Sequence, residues 1–182
     1  MNDDDPGLSS GEAGPDVGPA VAPYILLLED SPGEAELFCQ ALICAWERQV
    51  SKPVAPRPII DVQYTAQGAL DALNAHIALK PNGLSDLPDL IVLDLDLPAG
   101  NSLTFLREIR RDVDLSKLPV IAMVWADDEP TIRALGGQGV AGYVIKPMLF
   151  EDLIVLVGDV CRHFLFEKPH HELCEPGREL LT

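Results

Sequence analysis

Five short runs of apolar residues, each followed by a segment with helical spacing, constrain the fold of this chain more than any other feature. The runs are Tyr24–Leu28, Ile59–Tyr64, Leu90–Leu93, Val120–Val124 and Tyr143–Ile145. They are too short for helices, and most are apolar throughout rather than alternating, which predicts strands buried on both faces. Such strands need a layer of helices on each side of the sheet.

The segments between these runs repeat their apolar residues at helical spacing. The predicted helices are one that opens at Ser31-Pro32-Gly33 and continues through Trp46, then Ala66–Leu79, Leu103–Arg111, Thr131–Leu135 and Phe150–Phe164. Because crossovers between parallel strands are right-handed, this alternation predicts a flavodoxin-like (βα)5 domain. Its doubly wound parallel sheet would have five strands in the order 2-1-3-4-5.

Composition and charge limit the partners and the location. Of the 182 residues, 47% are apolar and 23% are charged, which is typical of one globular domain. The net charge of −16 argues against nucleic acid and anionic membrane surfaces as partners. The longest strictly apolar run, Val120–Ala126, is far shorter than the ~20 residues of a membrane span. No secretory signal is recognisable, so the predicted location is the cytoplasm.

The two ends of the chain differ from the part between them. Residues 1–22 are mostly Gly, Pro, Asp, Ser and Ala and carry five acids and no base, which predicts a disordered acidic tail. Residues 167–182 are polar and contain Pro169, Pro176 and Gly177, which predicts a loosely held polar tail. The folded domain is therefore expected over residues 23–166. The four cysteines show no metal-ligand spacing and are expected to be reduced thiols.

Charged residues follow three of the predicted strands directly. Glu29 and Asp30 follow the first strand, Asp94 the third, and Lys146 the fifth. The carboxyl ends of parallel strands meet at one crevice, so the carboxylates should lie close together and repel one another unless a cation is bound. Oxygen ligands and few protein groups suit Mg²⁺. With Lys146 added, the pattern predicts a phosphoryl site in which one carboxylate attacks phosphorus.

Four segments and their spacing resemble the receiver domain of two-component response regulators over about residues 24–164. They are ILLLEDSPGEAEL, PDLIVLDLDLPAGNSLTFLREIR, LPVIAMV and GYVIKPM. The long interval from Asp30 to Asp94, the EDSPGEAEL opening and the HFLF end also resemble the small receivers encoded beside bacterial phytochromes and other sensor kinases.

The resemblance implies a phosphoacceptor and a metal site. Asp94 would accept the phosphoryl group. Asp30, Asp94 and the backbone carbonyl of Asp96 would hold Mg²⁺, with Glu29 contributing through water. These four residues are the predicted metal site.

The resemblance also assigns roles around the phosphoryl group. Lys146 would contact both the phosphoryl group and the Asp94 carboxylate, and the Lys146–Pro147 bond is often cis in this family. Tyr143 matches the aromatic switch position. Val124 stands where the family has Thr or Ser, so a hydrogen bond to the phosphoryl group worth about 1.5–3 kcal/mol is missing. Trp125 stands where a small residue is usual and would crowd the site.

The predicted function is a stand-alone response regulator that takes phosphate onto Asp94 from a sensor histidine kinase, which the narrower resemblance suggests is phytochrome-like. No output domain fits after Phe166, so output would be contact with an unidentified protein, and the chain would not be an enzyme. The main alternative is a pseudo-receiver, an interaction module that acts without phosphorylation, which Val124 and Trp125 favour. A haloacid-dehalogenase-like phosphatase and a flavin-binding protein fit the motifs less well.

Three aromatic residues leave the oligomeric state open. Trp46, Phe164 and Phe166 either pack in the core or form the surface of a homodimer. Asp127-Asp128-Glu129-Pro130 is expected to be the capped start of the fourth helix rather than a metal site. Cys39 and Cys44 are expected to be packing residues.

Overall fold

The computed structural model describes residues 21–49, 56–78, 87–125 and 129–166. The predicted tails, apart from residues 21 and 22, lie outside the described residues, as do Cys174 and the Asp127-Asp128 pair. The domain boundaries at residues 23 and 166 therefore stay predictions.

Five parallel strands form one sheet, in the predicted order 2-1-3-4-5. The strands are β1 Tyr24–Leu28, β2 Ile59–Gln63, β3 Leu90–Asp94, β4 Val120–Val124 and β5 Gly142–Ile145. The residues of β3 and β4 are all buried, as expected for central strands of a parallel sheet that is covered on both faces. The predicted fold class is confirmed.

Helices connect successive strands. They are α1 Pro32–Gln49, α2 Ala66–Ala78, α3 Asn101–Arg111, α4 Glu129–Ala134 and α5 Phe150–Cys161. The predicted ends of three helices are wrong. Helix α4, predicted over Thr131–Leu135, begins two residues earlier at Glu129 and ends at Ala134. Helix α3 begins before the first apolar residue of its pattern, directly after Gly100, whose φ of 68° breaks the preceding short 3-10 turn. Helix α5 ends as an α-helix at Cys161, and the chain continues as a π-helical turn over Arg162–Phe166.

Side chains of the sheet alternate between two apolar layers. Leu26 and Leu28 of β1 face the layer that holds Phe105 of α3, and Ile25 and Leu27 face the opposite layer. This alternation follows from the two-residue period of a strand. One sheet therefore organises both cores.

Phe164 and three cysteines pack in or against the layer that holds Ile25 and Leu27. Trp46 is 4% exposed, so it is a core residue and not a free surface, and Phe164 is partly buried. Cys39 and Cys44 lie at the edge of this layer and Cys161 within it, and all three are free thiols. The predicted packing role of Cys39 and Cys44 is confirmed.

Two polar groups lie at the amino end of the strands. The Tyr24 hydroxyl donates to Asp61 Oδ2 at 3.1 Å and lies 3.2 Å from His76 Nε2. We call these three residues the amino-edge cluster.

Separately, the Arg110 guanidinium donates to the carbonyl oxygens of Gly139 at 2.9 Å and Leu118 at 3.0 Å. Within the described parts of the chain, no helix has both the length and the apolar character needed to cross a bilayer.

Candidate functional site

Backbone hydrogen bonds that continue past the strand ends fix the charged residues at the carboxyl edge of the sheet. The Glu29 N–H donates to the Gln63 carbonyl at 3.0 Å, and the Lys146 N–H donates to the Val124 carbonyl at 2.7 Å. Asp94 is itself the last residue of β3 and pairs with Met123. These residues therefore have the rigidity of the sheet rather than that of a loop.

The carboxylates predicted to converge do converge. Glu29, Asp30 and Asp94 each place a carboxylate oxygen within 4.8 Å of the others. Glu29 and Asp94 are only 1% and 2% exposed, whereas Asp30 is open to solvent. We call these three residues together with Lys146 the acidic pocket. Its oxygen donors and its open side are the features that a hard divalent cation requires.

The Lys146 ammonium lies among three carboxylates. Its Nζ is 3.0 Å from Asp94 Oδ1, 3.3 Å from Glu29 Oε2 and 2.7 Å from Glu34 Oε2. Asp94, Glu29 and Lys146 are the residues that the sequence places directly after predicted strands, and they are in contact. Glu34 was missed, although its place in the first turn of a helix that begins at this edge was a usable signal.

Burial and neighbouring charges together raise the pKa of both Glu29 and Lys146. Burial raises the pKa of Glu29 to about 7, and the Asp94 charge adds to the rise, while the Ser31 N–H and Lys146 oppose it. Burial lowers the pKa of Lys146, but the hydrogen bond to Glu34 and the charges of Asp94 and Glu29 outweigh it and raise the pKa overall. Lys146 is therefore a firmly charged ammonium in a pocket with surplus carboxylates.

Three hydrogen bonds fix Asp94 and its surroundings. Asp94 Oδ1 accepts from the Asp96 N–H at 3.1 Å, and the Asp94 carbonyl accepts from the Ser102 hydroxyl at 2.9 Å. The side chain of Asp96 is exposed beside the pocket. The buried Ser102 was not predicted, since a serine in a helix carries no signal of its partner. Glu29 Oε1 accepts from the Ser31 N–H at 3.0 Å.

The remaining predicted residues flank Lys146. Val124 is buried at the end of β4, and the next residue, Trp125, places its ring centroid 5.2 Å from Lys146 Nζ, within range of a cation–π contact. Tyr143 is partly buried on β5. The peptide bond between Lys146 and Pro147 is trans, which corrects the cis form that the resemblance suggested.

Curated relatives share much of the sequence. The chain is 31% identical over 160 residues to the probable methanogenesis regulatory protein FilR2 of Methanothrix harundinacea, a match that spans 87% of this chain and 92% of that protein. Other relatives are longer, and the chain covers 18%, 28% and 52% of the length of three of them.

Solved structures share the fold. A phosphorylated cyanobacterial phytochrome response regulator, RcpA, aligns with a TM-score of 0.64 and 23% identity over 80% of this chain and 96% of its own. The Mn²⁺-bound response regulator Rcp1 aligns with a TM-score of 0.61 and 24% identity over the same shares. In sequence, Rcp1 of Synechocystis is 33% identical over 90 residues, which are 48% of this chain and 61% of Rcp1.

A family model agrees with these relatives and with the pocket. The model described as the response regulator receiver domain matches residues 25–158, which include every residue of the acidic pocket. The chain therefore belongs to the response regulator receiver domain family.

Proposed function

We propose that this receiver accepts a phosphoryl group on Asp94 from a sensor histidine kinase. The observation that carries the proposal is the Asp94 carboxylate itself, which is buried, lies 3.0 Å from a lysine ammonium and is within 4.8 Å of two further carboxylates. An isolated structural aspartate would not be surrounded by like charges, because the repulsion is costly. The arrangement suits a group that reacts with phosphorus.

The transfer itself needs one nucleophile and charge neutralisation. A carboxylate oxygen of Asp94 attacks the phosphorus of a phosphohistidine, the P–N bond breaks, and its electron pair returns to the imidazole nitrogen of the donor. The product is an acyl phosphate on Asp94. Lys146 neutralises the added negative charge at the position where it develops, which is the main source of rate in phosphoryl transfer.

The donor set of the acidic pocket fits Mg²⁺. Carboxylate oxygens of Asp30 and Asp94 and the backbone carbonyl of Asp96 would hold the ion, Glu29 would contribute through water, and the exposure of Asp30 leaves room for water ligands. When bound, the ion supplies positive charge to the phosphoryl oxygens. The Mn²⁺ bound to the similar Rcp1 supports a divalent ion here.

Output is proposed to be contact with another protein through α4, β5 and α5, with Tyr143 as the residue that responds. A phytochrome-like kinase is the proposed partner, since the similar RcpA is a phytochrome response regulator. Receiver domains are signalling domains, and we propose no turnover beyond modification of Asp94 itself. This function requires a compartment shared with the kinase, which we propose to be the cytoplasm.

A second candidate is a pseudo-receiver that acts without phosphorylation. Val124 has no hydroxyl to donate to a phosphoryl oxygen, and the bulky Trp125 ring lies 5.2 Å from Lys146 Nζ. Both features weaken the link between phosphorylation and conformation without removing the nucleophile. The two candidates differ in whether partner binding depends on phosphorylation of Asp94.

The test is phosphorylation by a small donor. Acetyl phosphate with Mg²⁺ should add one phosphoryl group to the wild-type chain, measured by intact mass, and none to Asp94→Asn. An unmodified wild-type chain would contradict the proposal. Partner binding that is unchanged in Asp94→Asn would favour the pseudo-receiver.

A further inference from the structure

Glu34 makes the shortest contact of the Lys146 ammonium. Its Oε2 lies 2.7 Å from Nζ, closer than the oxygens of Asp94 at 3.0 Å and Glu29 at 3.3 Å. An ammonium group has three N–H donors: Glu34 and Glu29 accept hydrogen bonds from two of them, and the Asp94 carboxylate forms an ion pair beside the third. A phosphoryl oxygen can gain a hydrogen bond from Lys146 only if one of the three leaves.

We propose that Glu34 is a built-in competitor for the phosphoryl group, holding Lys146 in the resting protein and limiting the rate at which Asp94 is modified. This inference rests on the proposed function of Asp94 and Lys146 and adds a positioning residue to it. Glu34 belongs to α1 and is outside the carboxylate cluster that fits Mg²⁺.

Burial identifies Glu34 as the carboxylate that leaves. Its side chain is 44% exposed, whereas the side chains of Glu29 and Asp94 are 1% and 3% exposed. Solvent can rehydrate Glu34 when it swings outward, but it cannot reach Glu29 without opening the pocket. The arriving phosphoryl group also repels Glu34, since both are negative.

The local sequence holds Glu34 in place for this role. The Ser31 hydroxyl accepts a hydrogen bond from the Glu34 N–H at 3.4 Å, so Ser31 caps α1 and sets Glu34 in its first turn. The Trp125 ring centroid lies 5.2 Å from Lys146 Nζ, within range of a cation–π contact. Lys146 therefore has Glu34 and Trp125 as neighbours in addition to the acidic pocket.

The experiment compares three variants with the wild type. Glu34→Gln removes the charge, and Glu34→Asp keeps the charge but shortens its reach by one methylene. Glu36→Gln is the matched control, since Glu36 is an exposed acid on the same helix whose side chain bonds Gln40 instead of Lys146. Two quantities are measured for each: the rate of modification by acetyl phosphate with Mg²⁺, and the affinity for beryllofluoride followed by tryptophan fluorescence.

We expect Glu34→Gln to raise both quantities about three- to tenfold, the size of a partly exposed ion pair and its hydrogen bond. Glu34→Asp should raise them by a smaller factor, and Glu36→Gln should leave them at the wild-type level. The affinity for Mg²⁺ alone should not rise in any variant, because freeing Lys146 strengthens its hold on Asp94 and Glu29.

Other outcomes overturn the proposal. Equal increases in Glu34→Gln and Glu36→Gln would show a general effect of net charge. Modification of the wild type without any increase in Glu34→Gln would overturn the competition while leaving phosphorylation of Asp94 intact. Modification of no variant would overturn both.

Discussion

The acidic pocket and the amino-edge cluster are polar groups at opposite ends of the same sheet, and they differ in charge balance. In the amino-edge cluster one carboxylate, Asp61, meets a hydroxyl and an imidazole, and burial together with Asp61 raises the pKa of Tyr24. In the acidic pocket and Glu34, three carboxylates contact one ammonium, and a fourth, that of Asp30, lies beside those of Glu29 and Asp94. The one carboxylate of the first cluster is satisfied by the Tyr24 hydroxyl and by Gln63 Nε2, which donates to Asp61 Oδ1 at 2.8 Å, whereas the second retains surplus negative charge.

This difference separates a structural polar cluster from a site. Hydrogen bonds that are complete within the fold contribute stability and require no ligand. Surplus buried charge costs stability, and it is retained where a ligand removes it. Three substitutions test this distinction, each by a change at one end of the sheet.

Lys146→Met should have the largest effect, because it removes the one cation of the acidic pocket. Without a divalent ion, buried Glu29 and Asp94 would then lack a counter-charge, and the free energy of unfolding should fall by about 3–5 kcal/mol. Urea denaturation with and without Mg²⁺ measures this, and Mg²⁺ should restore much of the loss. The control is Lys117→Met, at an exposed lysine far from the pocket in sequence. A metal-free Lys146→Met variant as stable as the wild type would refute the surplus-charge interpretation.

Val124→Thr should strengthen the binding of a phosphoryl analogue at the acidic pocket. A threonine hydroxyl at the end of β4 would donate to a phosphoryl oxygen, a charge-assisted bond worth about 1.5–3 kcal/mol. We expect a roughly tenfold or greater rise in beryllofluoride affinity, and a larger change in the NMR signals of Tyr143 on binding. The control is Val124→Ala, which removes both methyl groups of the valine and adds no donor. An affinity that stays at the wild-type value would mean that the missing hydroxyl does not limit the response.

Tyr24→Phe should have the smallest effect and should be confined to the amino edge. Loss of the hydroxyl removes its bonds to Asp61 and His76 and should lower the free energy of unfolding by about 1 kcal/mol. The rate of modification of Asp94 should not change, because the two clusters share no residue. A changed rate in Tyr24→Phe would show that the clusters are coupled through the sheet.

The strands and the charged residues at their carboxyl ends could be predicted from the sequence. Buried parallel strands need continuous apolar runs, and the crevice at their carboxyl ends is fixed by topology, so Glu29, Asp94 and Lys146 could be placed together in advance. The approach of Lys146 to Asp94 followed from the receiver resemblance and agrees with the structure. The roles assigned to Asp96 and Tyr143 stay predictions.

Helix-borne partners were not predictable in the same way. Glu34 and Ser102 reach the site from the first turns of α1 and α3, and their partners depend on how each helix rotates against the sheet. The receiver resemblance showed that Trp125 stands where a small residue is usual, but it did not show that the Trp125 ring would lie near Lys146. The start of α3 was missed because Asn101 and Ser102 precede its apolar pattern. The end of α5 was missed because a π-helical turn interrupts the α-helix after Cys161.

Arg110 at the end of α3 has a consequence for evolution of the chain. Its guanidinium bonds the Gly139 carbonyl, and a Cβ placed on Gly139, whose φ is 78°, would meet Arg110 Nε at 2.9 Å. The same side chain bonds the carbonyls that lead into β4. Substituting Arg110 would therefore loosen the segments before β4 and β5 at once, and a side chain at Gly139 would displace Arg110 and strain the backbone, so neither position is expected to tolerate substitution.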